Sequence, residues 1–151
     1  MSEVAISQMT EAIESLWSRL LGIEARPDST LVVGRLRSSL MTGCVQISGA
    51  WRGAVMVECS GGLARRVASI LFEADVREIS HDQINDALGE LINRIGGDIM
   101  ALLPEPSHLS MPAVSEGTDA LFRIPGTQPM AQMSFLCEGK PFQITVLKSQ
   151  P

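Results

Sequence analysis

Tyrosine is absent from this sequence, and the other aromatics amount to two Trp and four Phe in 151 residues. A core must therefore be built mainly from Leu, Ile, Val, Met and Ala. At 45% hydrophobic residues there are enough of them for an ordinary globular fold. Cysteine is scarce as well: Cys44, Cys59 and Cys137 stand alone, with no Cys-x-x-Cys pair. That odd, scattered set argues against a disulfide scaffold and for reduced thiols in the cytoplasm. His81 and His108 lie far in sequence from the cysteines and from each other, so no zinc-type spacing is present. There is no basic stripe to meet phosphates either. The formal net charge is −5, and "LARRV" supplies only two adjacent arginines, so a nucleic-acid partner is not expected. No apolar run approaches the ~20 residues that span a bilayer. The opening "MSEVAISQMTEAIESLW" has acidic residues and no basic segment, unlike a signal peptide. The expectation is a cytoplasmic protein with no membrane association.

What is present fits one domain over residues 1–151. From about residue 2 to 22, Ile6, Met9, Ile13, Leu16, Trp17, Leu20 and Leu21 recur at helical spacing, and Gly22 is a natural stop. "EARPDST" is a turn-rich connector, and "LVVGRL" has the character of a further strand. Two β-prone runs, roughly Gly43–Ser48 and Gly53–Glu58, flank "GAWRG" and predict a hairpin. Ser60 can cap a helix that carries Leu63, Val67, Ile70 and Leu71 on one face. Ser80 and Gln83 have capping-box spacing, with Asp82 in the positive first turn. They predict a helix over about 81–103, ended by Pro104 and Pro106. "LSMPAVSEG" has room for a short strand. "MAQMSFLCEG" and "PFQITVLKS" predict a second hairpin, with Phe142, Ile144 and Val146 on its apolar face. Hairpins with helices grouped between them predict an α+β domain: a largely antiparallel sheet packed with two or three helices.

The 81–103 segment contains "DALGELINRIGGDI", a helix with three glycines. On a wheel of about 100° per residue, Ile84, Leu88, Leu91, Ile95, Ile99 and Leu102 form the core face, with Ile92 and Leu103 at its edge. Glu90, Asn93 and Gly97 form a row on the opposite side, flanked by Asp86 and Arg94. Each helical glycine costs roughly 0.5–1 kcal/mol relative to Ala. Gly96 points to the edge of the core face, where close packing would explain it. Gly97 lies on the polar face, where a missing side chain lets another body approach. An exposed Glu and Asn three residues apart are also common on solvated helices, so spacing alone does not assign them a task.

The same segment resembles the Glu-x-x-Asn signature of the CheC/CheX/FliY phosphatases of bacterial chemotaxis, in its CheX-like form. "MTEAIESLWSRLLG", "VQISGAWRGAVMVECS", "LARRVASILF", "LSMPAVSEG" and "MSFLCEGKPFQITVLKS" are similar, in order, to the family's opening helix, early hairpin, preceding helix and later strands. The resemblance implies a CheC/CheX-like fold and a phosphatase that hydrolyses the aspartyl phosphate of a CheY-type response regulator. It implies that Asn93 enters the regulator's active site and orients the attacking water. It implies that Glu90 pairs with the regulator's invariant lysine, and that Gly97 matches the glycine one turn later. Asp86 and Arg94 flank that row as partner-binding candidates. The resemblance implies no cofactor of the chain's own, with the Mg2+ belonging to the regulator. It also implies that a homodimer joined at sheet edges can form, for which the C-terminal strands are candidates. Arg94 stands where the family more often has an apolar residue, Gly96 where alanine is commoner, and a single Glu-x-x-Asn favours the CheX-like branch. The alternative is a non-catalytic module of the same fold that binds a regulator or a flagellar-motor component. A small-molecule sensor finds little support, since Ser60 before two glycines reads first as a helix cap.

Overall fold

The computed structural model describes residues 3–29, 40–116 and 124–150. The segment "LVVGRL" lies outside them. Within them are three α-helices, α1 (Glu3–Leu21), α2 (Gly61–Leu71) and α3 (His81–Met100). The strands are β1 (Arg26–Pro27), β2 (Leu40–Gly49), β3 (Gly53–Ser60), β4 (Ser107–Leu109), β5 (Ala113–Glu116), β6 (Thr127–Cys137) and β7 (Lys140–Ser149). They form one seven-stranded sheet in the order β1-β6-β7-β3-β2-β4, with β5 also paired to β2, and every pairing is antiparallel. The fold is the expected α+β arrangement.

Local chemistry accounts for the element ends. Gly22, at φ +69°, closes α1 in the left-handed region that suits glycine, and its N–H donates to Ser18 O. Ser60 Oγ accepts from Leu63 N and starts α2. Ser80 and Gln83 form the full capping box: Ser80 Oγ accepts from Gln83 N at 3.1 Å, and Gln83 Oε1 accepts from Ser80 N at 2.9 Å. The β6–β7 hairpin turns on Glu138 and Gly139, both at positive φ, as a two-residue turn matching the strand twist requires. Arg66 from α2 holds the Glu138 carboxylate with two hydrogen bonds, at 2.9 and 3.3 Å.

The helices pack on one face of the sheet over a continuous core. The α1 stripe is as expected: Met9, Ile13, Leu16, Trp17 and Leu21 are buried, with Ile6 and Leu20 partly so. Three of the six aromatics meet here. Trp17 stacks on Phe142 at 4.1 Å, Phe142 on Phe135 at 4.9 Å, and Trp17 Nε1 donates to Cys137 Sγ. Phe142, Ile144 and Val146 are fully buried, while Thr145 and Leu147 of the same strand face the other side of the sheet. All three cysteines are free and buried. Burial pushes the Cys44 thiol up to about 11 and that of Cys59 to about 12, so both stay protonated at neutral pH.

Three expectations change. The signature helix ends at Met100 rather than 103. Beyond it, Leu102 N donates to Ile99 O and Leu103 N to Met100 O, the i to i−3 pattern of a tightened last turn. That turn rotates about 120° per residue instead of 100°, so Leu102 swings out to 43% exposure and Leu103 takes the inward place. "LSMPAVSEG" belongs to two short strands rather than one, with Ser110, Met111 and Pro112 between β4 and β5. Of the C-terminal strands, β7 is interior, between β6 and β3. Its neighbour β6 lies next to the short β1, and residues 26–28 pair with it over Ser134–Leu136.

Candidate functional site

Helix α3 packs directly against β2, and two glycines leave room for this. A Cβ on Gly96 would stand 2.5 Å from Val45 Cγ2, and one on Gly43 would stand 3.3 Å from Ile92. Ile92, Ile95, Ile99 and Val45 are fully buried in that contact. The inward face of α3 is thus locked, and its outward face is presented on a fixed rail.

On the outward face, Asp86, Glu90 and Arg94 are exposed and Asn93 is half-buried. Asp86, Glu90 and Asn93 line one wall of an open groove of about 630 Å³, with Asn85 and Gly89 beside them. The opposite wall is the β4–β5 connection, Ser110, Met111 and Pro112, with Leu109 of β4 and Val114 of β5. The groove thus has a polar helical wall and a mostly apolar wall of loop and strand residues.

Two of the sequence candidates lie differently from the simple row. Arg94 does not line the groove. Its Nε donates to Glu90 Oε1 at 2.8 Å, an i,i+4 pair with both side chains about half exposed. Glu90 Oε2 accepts no hydrogen bond from the described residues, so the carboxylate keeps an oxygen for another cation. Gly97 opens onto a neighbouring, smaller cleft with Met100, Ala101, Glu105, Pro106 and Ser107. A Cβ there would find only Leu109 Cδ1, 4.0 Å away, so nothing in the fold demands glycine.

Gly89 has no sequence-level account, and the structure supplies a local one. It is buried on the groove side, and its hydrogen faces Pro112, where a Cβ would sit 3.6 Å from Cγ in ordinary contact. An alanine would fit but would take room from the groove. The loop wall is what sequence reasoning missed. Its only signal was a methionine directly before a proline, between two β-prone runs. Among the described residues, no three His, Cys, Asp or Glu side chains come together to hold a metal ion, and no helix is long and apolar enough to cross a membrane.

The chemistry available is that of a docking face. A carboxamide can both accept from and donate to a water. A carboxylate one turn earlier can hold a cation and set register. Among the described residues no cysteine stands beside them, all three being buried, and the Ser110 hydroxyl in the groove donates to the Met111 carbonyl.

Comparison with known proteins bears on this site. No curated protein sequence matches the chain. The chain is similar to the chemotaxis protein CheX of Desulfovibrio desulfuricans, at 19% identity and TM-score 0.74 over 96% of this chain and 99% of that one. It is similar to the CheX of Vibrio vulnificus, at 18% identity and TM-score 0.73 over 96% and 95% of the two chains. It is also similar to the CheX in a Borrelia burgdorferi complex with CheY, BeF3 and Mg2+, at 18% identity and TM-score 0.71 over 95% and 97%. These likenesses show a shared fold. A sequence profile described as "Chemotaxis phosphatase CheX" matches residues 41–136, the greater part of the chain and the part that carries Glu90 and Asn93. On that match, this chain belongs to the CheX family of chemotaxis phosphatases.

Proposed function

We propose that the chain is a cytoplasmic phosphatase that hydrolyses the aspartyl phosphate of a CheY-type response regulator, with Asn93 and Glu90 as its working residues. The observation that carries this reading is their common position: two polar side chains one turn apart, on the outward face of a locked helix, in one open groove. Membership of the family supports the reaction class. The complex of a similarly folded CheX with CheY supports the class of partner.

Aspartyl-phosphate hydrolysis asks for positioning and electrostatics more than covalent help. A water oxygen attacks phosphorus, the bond from phosphorus to the aspartyl carboxylate breaks, and inorganic phosphate leaves. Asn93 inserts into the regulator and holds the water in line through its carboxamide. Glu90 receives the regulator's lysine, its free Oε2 being the first point of contact, and Arg94 keeps the carboxylate oriented until then. Asp86 adds negative charge on the same groove wall. The chain requires no metal or cofactor of its own in this scheme, and the Mg2+ belongs to the regulator.

The test is phosphate loss from a panel of phosphorylated CheY-type regulators. Asn93→Ala should lower kcat by at least about a hundredfold, the scale of losing a positioning group, with binding retained. Glu90→Ala should chiefly raise KM. An Asn93→Ala variant as active as wild type would rule the mechanism out. Binding to the phosphorylated regulator without faster phosphate loss would select the alternative, a non-catalytic module.

A further inference from the structure

We propose that Met111 is an apolar anchor for the regulator, buried on docking against the surface that flanks the phosphorylated aspartate; this rests on the function proposed above. Met111 is 88% exposed. The other large hydrophobics exposed among the described residues, Phe72, Val76 and Leu102, are covered by half or more. Within its own fold Met111 therefore gains almost nothing by being apolar. It sits on the groove wall that faces Glu90 and Asn93.

The loop that carries it is fixed rather than slack. Ser110 N donates to Gln46 O, and Gln46 N donates to Ser110 Oγ, both at 2.9 Å. Ser110 Oγ in turn donates to the carbonyl of Met111 itself at 2.9 Å. Strands β4 and β5, on either side, both pair with β2, and Pro112 restricts the backbone directly after Met111. A side chain held out in this way loses little loop entropy when a partner covers it. Methionine suits the role because its unbranched, polarisable thioether adapts to an irregular surface.

The occupant follows from the two walls. Acidic and carboxamide groups stand on the helix side, and no charged residue lines the groove from the loop side. A body that places a lysine and a phosphoryl group against Glu90 and Asn93 brings its adjoining surface onto Met111. A polar grip beside a single buried apolar side chain is the common anatomy of a small interface with one energetic centre.

The experiment uses the full chain and a regulator that wild type dephosphorylates. Met111→Ala should raise KM about tenfold, equivalent to about 1.4 kcal/mol, with kcat and thermal stability unchanged. Affinity for the regulator loaded with beryllium fluoride should fall by the same factor, and Met111→Leu should restore most of it. A Met111→Ala variant with wild-type KM and affinity overturns the anchor while leaving the phosphatase reading intact. If Asn93→Ala stays active, the phosphatase mechanism fails, and the affinity measurement still decides Met111. A wild-type chain that binds no regulator overturns both.

Discussion

Gly97 shows most directly how a residue can be tolerated by the fold yet unexplained by it. Outside its own helical turns, no described atom lies closer than 4.0 Å to where its Cβ would be, and helical glycine costs roughly 0.5–1 kcal/mol relative to alanine. Gly97→Ala should therefore raise stability by about that amount, read as a higher denaturation midpoint. If the glycine serves docking, the same variant should weaken regulator binding about tenfold. Higher stability with unchanged binding would remove Gly97 from the interface. Its neighbour Arg94 illustrates the opposite lesson. The wheel set it at the edge of a partner surface, whereas the structure ties it to Glu90. An exposed i,i+4 pair contributes only about 0.3–0.5 kcal/mol, so it would offer little resistance to the regulator lysine proposed to share or replace it.

Among the elements, α3 matters most, because everything proposed for the site depends on its being held still. The capping box sets where it begins and the tightened turn after Met100 sets where it ends. Its closeness to β2 is set by Gly96 against Val45. Val45 is fully buried and β-branched, so it has few rotamers with which to yield. Gly96→Ala should cost about 1–3 kcal/mol as overpacking, readable as a lower urea midpoint with little change in slope. Two adjacent glycines on one helix are thus predicted to respond to the same substitution with opposite signs. The helix caps, hairpins and amphipathic stripes were legible because each is a local pattern within a few residues. The strand break at Met111 and Pro112, and the outward turn of Leu102, were not. Each depends on how a backbone adjusts to pairing or to a helix end, which no fixed periodicity encodes.

At the scale of the whole molecule, the sheet has a face away from the helices where Cys44, Ala54 and Leu147 cluster with Met56 and Ile124. Glu58 lines a cleft on that face with Met56, Thr145 and Leu147, and burial raises its carboxyl above the usual value of 4.5. A folded-state pKa raised in an acid means that the native state binds the proton more readily than the unfolded chain. The burden of Glu58 is therefore absent below about pH 4.5, grows as pH rises through the folded value, and is fully present at neutral pH. Glu58→Gln should raise the melting temperature at pH 7 by more than at pH 4, and equal shifts at the two pH values would show that the carboxylate is not strained. In that same molecule, residue order alone was enough for the α+β class, the core stripes of α1 and of α3 as far as Ile99, and an outward Glu90 and Asn93, because periodicity and caps act over one or two turns. Only the tertiary structure brought Leu109 to Val114 across from that helix to make a groove. Only it coupled Glu90 to Arg94, explained Gly96 by Val45, and showed Met111 uncovered. Each of those facts depends on which distant strand comes to lie beside α3, and that is decided by sheet pairing across dozens of residues rather than by any local run.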